Sequence, residues 1–479
     1  MADNKGHSGV VASTARPGRP TLTFLGGAAT VTGCRFLLET PESTLLIDCG
    51  LFQGLKELRL RNWDPFPIDP AAIDAVVVTH AHIDHVGYLP RLVEEGFTGS
   101  VYCTGGTADL ARIVLPDSGH LHEEEAAFAN RMGYSKHRPA LPLYTEAQAR
   151  RSLSQLDPVP FGELVTIGSD ITATFRPAGH ILGSATLSVE IGPGDRTVLF
   201  SGDLGRPAHP LLVAPAPPDG ADVVVMESTY GGRAHDESGA IEQLADVITR
   251  TARRGGTVVI PAFAVDRTEV VLHRLRQLTA DGHIPELPVY VDSPMALRAL
   301  GVYRRAIAGG DADVRPELQT QSDPFDTGHL HEVTDVEASK ALADAPHPSI
   351  IVSASGMATG GRVLHHLARV LPDNRNAVVL VGYQAAGTRG RLLAEGRSEL
   401  KMFGTYVPVR AEVANIRSFS VHADHGELVD WLAAATQPPD ITYVVHGEST
   451  AAGAVRDDIA HRLGWPAVVP AHLERVRVG

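Results

Sequence analysis

From Thr21 onward, apolar and polar positions alternate in short runs that end at glycine or at an acidic residue, as in "TLTFLGG", "CRFLLET" and "STLLIDCG". Runs of this length and period, bounded by turn residues, predict strands. "AVVVTHAHIDH" continues the series, and "YLPRLVEEG" has the spacing of a short helix. A polar helical region is predicted over roughly 106–156, after which strands return in "ITATFRPAGH", "SATLSVEI", "RTVLFSGD" and "ADVVVMEST". Beyond Tyr230 the rhythm changes. Continuous apolar runs now lead into amphipathic helices: "TVVIPAF" into "DRTEVVLHRLRQL", "SIIVSAS" into "GGRVLHHLARVL", and "AVVLVGYQ" into "TRGRLLAEG". Apolar strands alternating with helices predict a parallel sheet covered on both faces. From about 396 the chain reverts to short strands and turns.

The chain has 479 residues, more than a single core usually accommodates, so two domains are expected. Lys and Arg total 42 against 56 Asp and Glu, a net charge of −14. Bulk charge therefore does not attract a polyanion, and an anionic substrate must be held by a local site. The three cysteines, Cys34, Cys49 and Cys103, lack paired spacing and are expected to be small buried core residues. The opening residues contain no apolar leader, and no segment reaches the roughly 18 apolar residues needed to span a bilayer. A cytoplasmic location, no membrane partner and a mobile tail over 1–20 are expected.

The densest chemistry lies in "THAHIDH", where His80, His82, Asp84 and His85 follow directly on a predicted strand. In extended chain, residues two apart share a face, so His80 and His82 can address one ion while the turn carries Asp84 and His85 towards another. Imidazole and carboxylate at this density suit zinc, with manganese as an alternative. Further ligands are expected at other strand ends: His180 in "RPAGHILGSA" and Asp203 in "LFSGDLG", each beside glycine. Asp48, closing "TLLIDCG", is expected behind a ligating histidine, holding its other ring nitrogen.

The order Asp48, His80-x-His82-x-Asp84-His85, His180, Asp203 resembles the motif series of the metallo-β-lactamase superfamily. "MESTYGG" with Glu227, "FSVHADH" with His422 and "YVVHGES" with His446 resemble motifs of its β-CASP branch of RNA-processing nucleases, as do "VDSPMA", "VSASGM" and "GYQAAGTRGR". The resemblance covers about 21–470. It implies an α/β fold, an αββα sandwich with an inserted parallel-sheet β-CASP domain: sandwich over 21–235, insert over 236–395, sandwich again over 396–479. It also implies two zinc ions, one held by His80, His82 and His180, the other by Asp84, His85 and His446, with Asp203 bridging. One departure is minor: the family usually has Gly where this chain has Asp266, before Arg267.

The implied reaction is hydrolysis of phosphodiester bonds in single-stranded RNA by a metal-bridged hydroxide, with His422 as general acid oriented by Glu227. Backbone N–H groups of Ser355, Gly356, Gly387 and Thr388, at two strand-to-helix turns, are candidates for holding phosphate. Arg389, Arg391, Arg397, Lys401 and Arg410 form a local basic stretch. The insert lies between Asp203 and His446 in sequence and is expected to act as a lid. Endonuclease action is favoured over 5′-exonuclease action, because no RNase J-type C-terminal domain is visible. A DNA nuclease of the same branch and a catalytically silent RNA-binding scaffold are the alternatives, and a homodimer is compatible with either. His120, His122, His137, His365 and His366 receive no role.

Overall fold

The structure is a computed structural model that describes residues 18–133, 135–192, 196–235, 237–385, 387–416 and 419–479. Of the expected N-terminal tail, 1–17 lie outside the described residues. Two seven-stranded sheets pack face to face. The first runs in the order Arg475–Arg477, Thr21–Phe24, Phe36–Glu39, Thr44–Ile47, Ala75–Val77, Ser100–Cys103, Leu156–Pro158. The second runs Ala467–Val468, Ile441–Val444, Val223–Met226, Arg196–Phe200, Ala185–Ile191, Ile171–Pro177, Leu164–Ile167. In each sheet one half is antiparallel and the other parallel.

Strand alternation decides which side chains meet between the sheets. Leu45, Ile47, Ala75 and Val77 face Phe175, Leu187, Val198, Phe200 and Val225 in the inner core. Their neighbours Leu46, Val76 and Val78 point outward to the layer of helices Leu89–Glu94 and Gly105–Met132. On the far face of the second sheet, Leu199, Val224 and Val444 pack against helices His425–Ala433 and Ser449–Asp458. The result is helix, sheet, sheet, helix, each element burying one apolar face.

The third sheet is six-stranded and wholly parallel, in the order Leu330–Glu332, Val289–Val291, Ser349–Ser353, Thr257–Pro261, Ala377–Val381, Glu412–Ile416. Its central strands are buried along their whole length, which accounts for the unbroken apolar runs in sequence. The edge strand Glu412–Ile416 pairs residue for residue with Ala377–Val381, so this sheet continues past the expected boundary at 395. An intervening hairpin, Glu399–Met402 with Thr405–Pro408, breaks the strand–helix rhythm and hides that continuation from the sequence. The insert leaves the second sheet after Val223–Met226 and returns at Ile441–Val444, the neighbouring strand.

Candidate metal centre

Six chemically equipped side chains follow strands that run in one direction: Asp48, His80, His180, Asp203, Glu227 and His446. Thr44–Ile47 is parallel to Ala75–Val77, and the four relevant strands of the second sheet are co-directional. Their C-terminal ends therefore converge on one rim. The turn Ile83–Val86 brings Asp84 and His85 in beside them, and it packs so closely on the first sheet that a Cβ at Gly50 would fall 1.6 Å from the Asp84 carbonyl oxygen.

Two histidine sets result. His82 Nδ1 lies 3.2 Å from His80 Nε2 and 3.1 Å from His180 Nε2. One ring nitrogen cannot serve both contacts with a single proton, whereas three lone pairs directed at one point suit a cation. On the other side, His85 Nε2 is buried without a hydrogen-bond partner, and His446 Nε2 lies 3.4 Å from Asp84 Oδ2. Asp203 stands between the sets. Its Oδ2 is 3.4 Å from His80 Nε2 and 3.7 Å from His180 Nε2, while its Oδ1 is 2.9 Å from His446 Nδ1 and 3.3 Å from His85 Nε2.

Electrostatics fit a cation-binding role. Burial pulls His80 and His180 below the ordinary histidine range and His82 down to about 3, so these three rings are neutral donors. Burial would raise Asp203, but the surrounding histidines, His446 foremost, hold it well below the carboxylate range. Asp84 is likewise held low by its bond to His446 against the effect of burial. Burial also opposes charge on His85 and His446, yet the neighbouring anionic groups pull both above the usual range. That excess of negative charge invites divalent ions, which would displace those protons. His85 Nε2, buried and without a hydrogen bond, points the same way.

A supporting shell holds the ligands. Asp48, at φ 56°, accepts from Thr79 N (2.8 Å) and Thr79 Oγ1 (3.0 Å), and its Oδ2 lies 2.8 Å from His85 Nδ1. Asp48 thus holds the Nδ1 side of His85 and leaves its Nε2 turned to the cluster. Glu227 accepts from Leu204 N and Thr229 N, and its Oε1 is 3.3 Å from His422 Nδ1. The His422 ring lies over His180, with centroids 4.3 Å apart, and is 15% exposed where its neighbours are buried. Thr229 Oγ1, which the sequence does not single out, lies 3.2 Å from His446 Nδ1.

The four phosphate candidates divide. Thr388 is buried, donates its N–H to Ala385 O and caps the helix Arg389–Ala394 through its hydroxyl. Gly356 is buried against Phe263. Ser355 is half-buried and Gly387 is exposed, which leaves these two nearer a ligand's reach. Arg389 donates to the carbonyls of Lys401, Ala358 and Thr359, and Arg391 pairs with Glu395, so these two members of the basic stretch serve the fold. Arg267 is also internal: its guanidinium fills the space over Gly382 and donates to Val381 O. His366 bonds buried Asp292, His365 stacks on Phe403, and His122 packs on Tyr144.

Two further residues belong to the site although nothing in the sequence marks them. Asp313 and Tyr303, both from the insert, bond the backbone of the loop that carries His180. Tyr303 also donates to Asp266 Oδ1, while Asp266 Oδ2 lies 3.0 Å from His209 Nε2. Asp266 has φ 63°, a conformation that favours glycine. The carboxylate that replaces glycine here is thus used in a buried network.

Residues 36–245 match the metallo-beta-lactamase superfamily, 268–393 the Beta-Casp domain and 406–470 the Zn-dependent metallo-hydrolase RNA specificity domain. The ribonuclease TTHA0252 of Thermus thermophilus is 39% identical over 425 residues, 88% of this chain and 92% of that protein. The transcription termination factor FttA of Methanosarcina mazei is 34% identical over 95% of this chain and 71% of its own length, and an RNase J-like protein of Methanocaldococcus jannaschii is 31% identical over 94% and 97%. A crystal structure of a protein of unknown function from Enterococcus faecalis shares the fold, with TM-score 0.53 at 12% identity, covering 96% of this chain and all of that one. With three family descriptions following one another along the chain and relatives aligned over most of both lengths, the chain belongs to the β-CASP branch of the metallo-β-lactamase superfamily.

Proposed function

We propose that this protein is a zinc-dependent ribonuclease that hydrolyses phosphodiester bonds in single-stranded RNA, with endonucleolytic cleavage preferred. The observation that carries the reading is the placement of Asp203, each of whose oxygens faces a different histidine set. His80, His82 and His180 would hold one ion, Asp84, His85 and His446 the other, and Asp203 both. When bound, such a pair supplies Lewis acidity and lowers the pKa of water into the neutral range. RNA as substrate is supported by the match of 406–470 to an RNA specificity domain and by the relatives named as a ribonuclease and as RNase J-like.

The chain's own residues do the rest. His422 protonates the departing oxygen: it is the most exposed imidazole bordering Asp203, and Glu227 at 3.3 Å orients its ring through Nδ1, leaving Nε2 for the substrate. The buried Tyr230 ring lies 5.9 Å from the His422 ring and 6.1 Å from the Tyr383 ring, and Tyr383 donates to Glu448 just beyond His446.

The test is incubation of metal-loaded protein with 5′-labelled RNA and DNA of equal sequence. Internal RNA fragments with intact DNA are expected. Mononucleotides released from the 5′ end would show exonuclease action instead, equal DNA cleavage would assign the protein to DNA, and no cleavage of either would support a scaffold.

A further inference from the structure

Cys34 stands apart from the other two cysteines. It is buried, as expected of a core residue, but its Sγ lies with ring nitrogens of His85 and His446 in one group whose ligand atoms are all within 4.8 Å of each other. Asp84, the carboxylate expected beside these histidines, does not belong to that compact group. It borders His446 from the more open side, 20% exposed.

The backbone explains why the thiol is there. Cys34 N donates to Asp84 O (2.8 Å), and Gly50 N donates to Cys34 O (3.0 Å), which ties the loop ahead of Phe36–Glu39 to the histidine turn. On the other flank His446 N donates to Gly27 O (2.7 Å), and a Cβ on Gly27 would lie only 3.0 Å from Cys34 Sγ. The loop is thus bonded to both ligand-bearing segments, with the sulfur between them. A small cavity touches Cys34, His85 and His446 on their interior side, where the rest of its wall is largely apolar, with Phe36, Ile47, Phe200 and Val225. A second sign of a ligand is His85 Nε2, which is buried and makes no hydrogen bond, with Asp203 Oδ1 3.3 Å away. A thiol serving only to fill the core has no reason to face two ligand imidazoles.

We propose that Cys34 is a ligand of the second metal ion, a thiolate approaching from the sandwich interior while Asp84 approaches from the cleft; this rests on the two-metal reading above. On binding, the S–H proton leaves to solvent and the sulfur lone pair forms the bond to the ion, with no change in oxidation state. Thiolate is a soft donor, so the second site prefers zinc to manganese more strongly than a site of imidazole and carboxylate alone.

The experiment uses the full chain loaded with cobalt(II) and reads its absorption spectrum. Wild-type protein is expected to show visible d–d bands and a near-ultraviolet thiolate-to-cobalt charge-transfer band. In Cys34→Ser and Cys34→Ala the d–d bands are expected to persist without the charge-transfer band, and the preference for zinc over manganese to drop roughly 10-fold. Wild-type d–d bands without charge transfer, or a charge-transfer band that survives in Cys34→Ser, would overturn the proposal while leaving the metal centre standing. Absence of both bands in wild type would remove the metal reading with it. If neither variant folds, the wild-type spectrum still decides, because among the described residues Cys34 is the sole cysteine grouped with these histidines.

Discussion

Asp313 Oδ2 accepts a 2.6 Å hydrogen bond from Gly183 N, joining a residue of the inserted domain to the loop that carries His180. The insert is therefore coupled through backbone to the loop of the candidate metal centre. Burial raises the Asp313 carboxyl from 3.8 to about 6. The folded state then favours the protonated form, so stability is gained as pH falls through about 6 and the gain is complete below the unfolded value. Compared with Asp313→Asn, wild type should become relatively more stable between about pH 7 and about pH 4, by on the order of 2–3 kcal/mol. Thermal melts of both proteins across that range measure it, and a constant difference would contradict the assignment.

Tyr303 extends the same coupling. Its hydroxyl accepts from Leu182 N (2.9 Å) and donates to Asp266 (2.6 Å). Tyr303→Phe leaves both partners buried and short of a bond, a cost of about 1–3 kcal/mol. It should also loosen the His180 loop and weaken zinc binding roughly 10-fold. Calorimetric metal titration separates the two effects: lost stability with unchanged affinity would confine the network to the fold.

His422→Ala should keep its full complement of metal and lose turnover by about 10²- to 10⁴-fold. Metal analysis alongside cleavage assays checks both halves. Turnover near wild type would remove His422 from the proton-donating role.

Asp203→Ala removes the carboxylate shared by both histidine sets and leaves their imidazoles without the anion between them. The purified variant should retain less than about a tenth of the wild-type metal. A metal-replete variant would show that Asp203 does not bridge.

The cluster of candidate donors was legible in the sequence because metal-capable side chains are chemically distinctive and several follow a strand whose apolar run marks its end. His80 after Val78 and Asp203 after Ser201 are of this kind. The supporting residues were not. Asp313 and Gly183 are 130 positions apart, and neither the aspartate nor the glycine carries a local signal of the pairing. Cys34 reads as a core residue by type and by burial, and only the bonded loop sets it beside His85 and His446. Asp266 drew notice as a departure from the family, but its bond to Tyr303 is tertiary. The insert's sheet was cut short at 395 because its last strand follows a hairpin instead of a helix. Thr388 is different: a threonine ahead of "RGRLLA" is a local cap signal, and its N–H, the candidate phosphate donor, is taken by Ala385 O.

Titrating metal-free protein with zinc while following cleavage of labelled single-stranded RNA tests the two-ion account most directly. Activity should be absent without metal, rise with added zinc and level off near about two equivalents per chain. A plateau at one equivalent, or cleavage that persists without any metal, would contradict it.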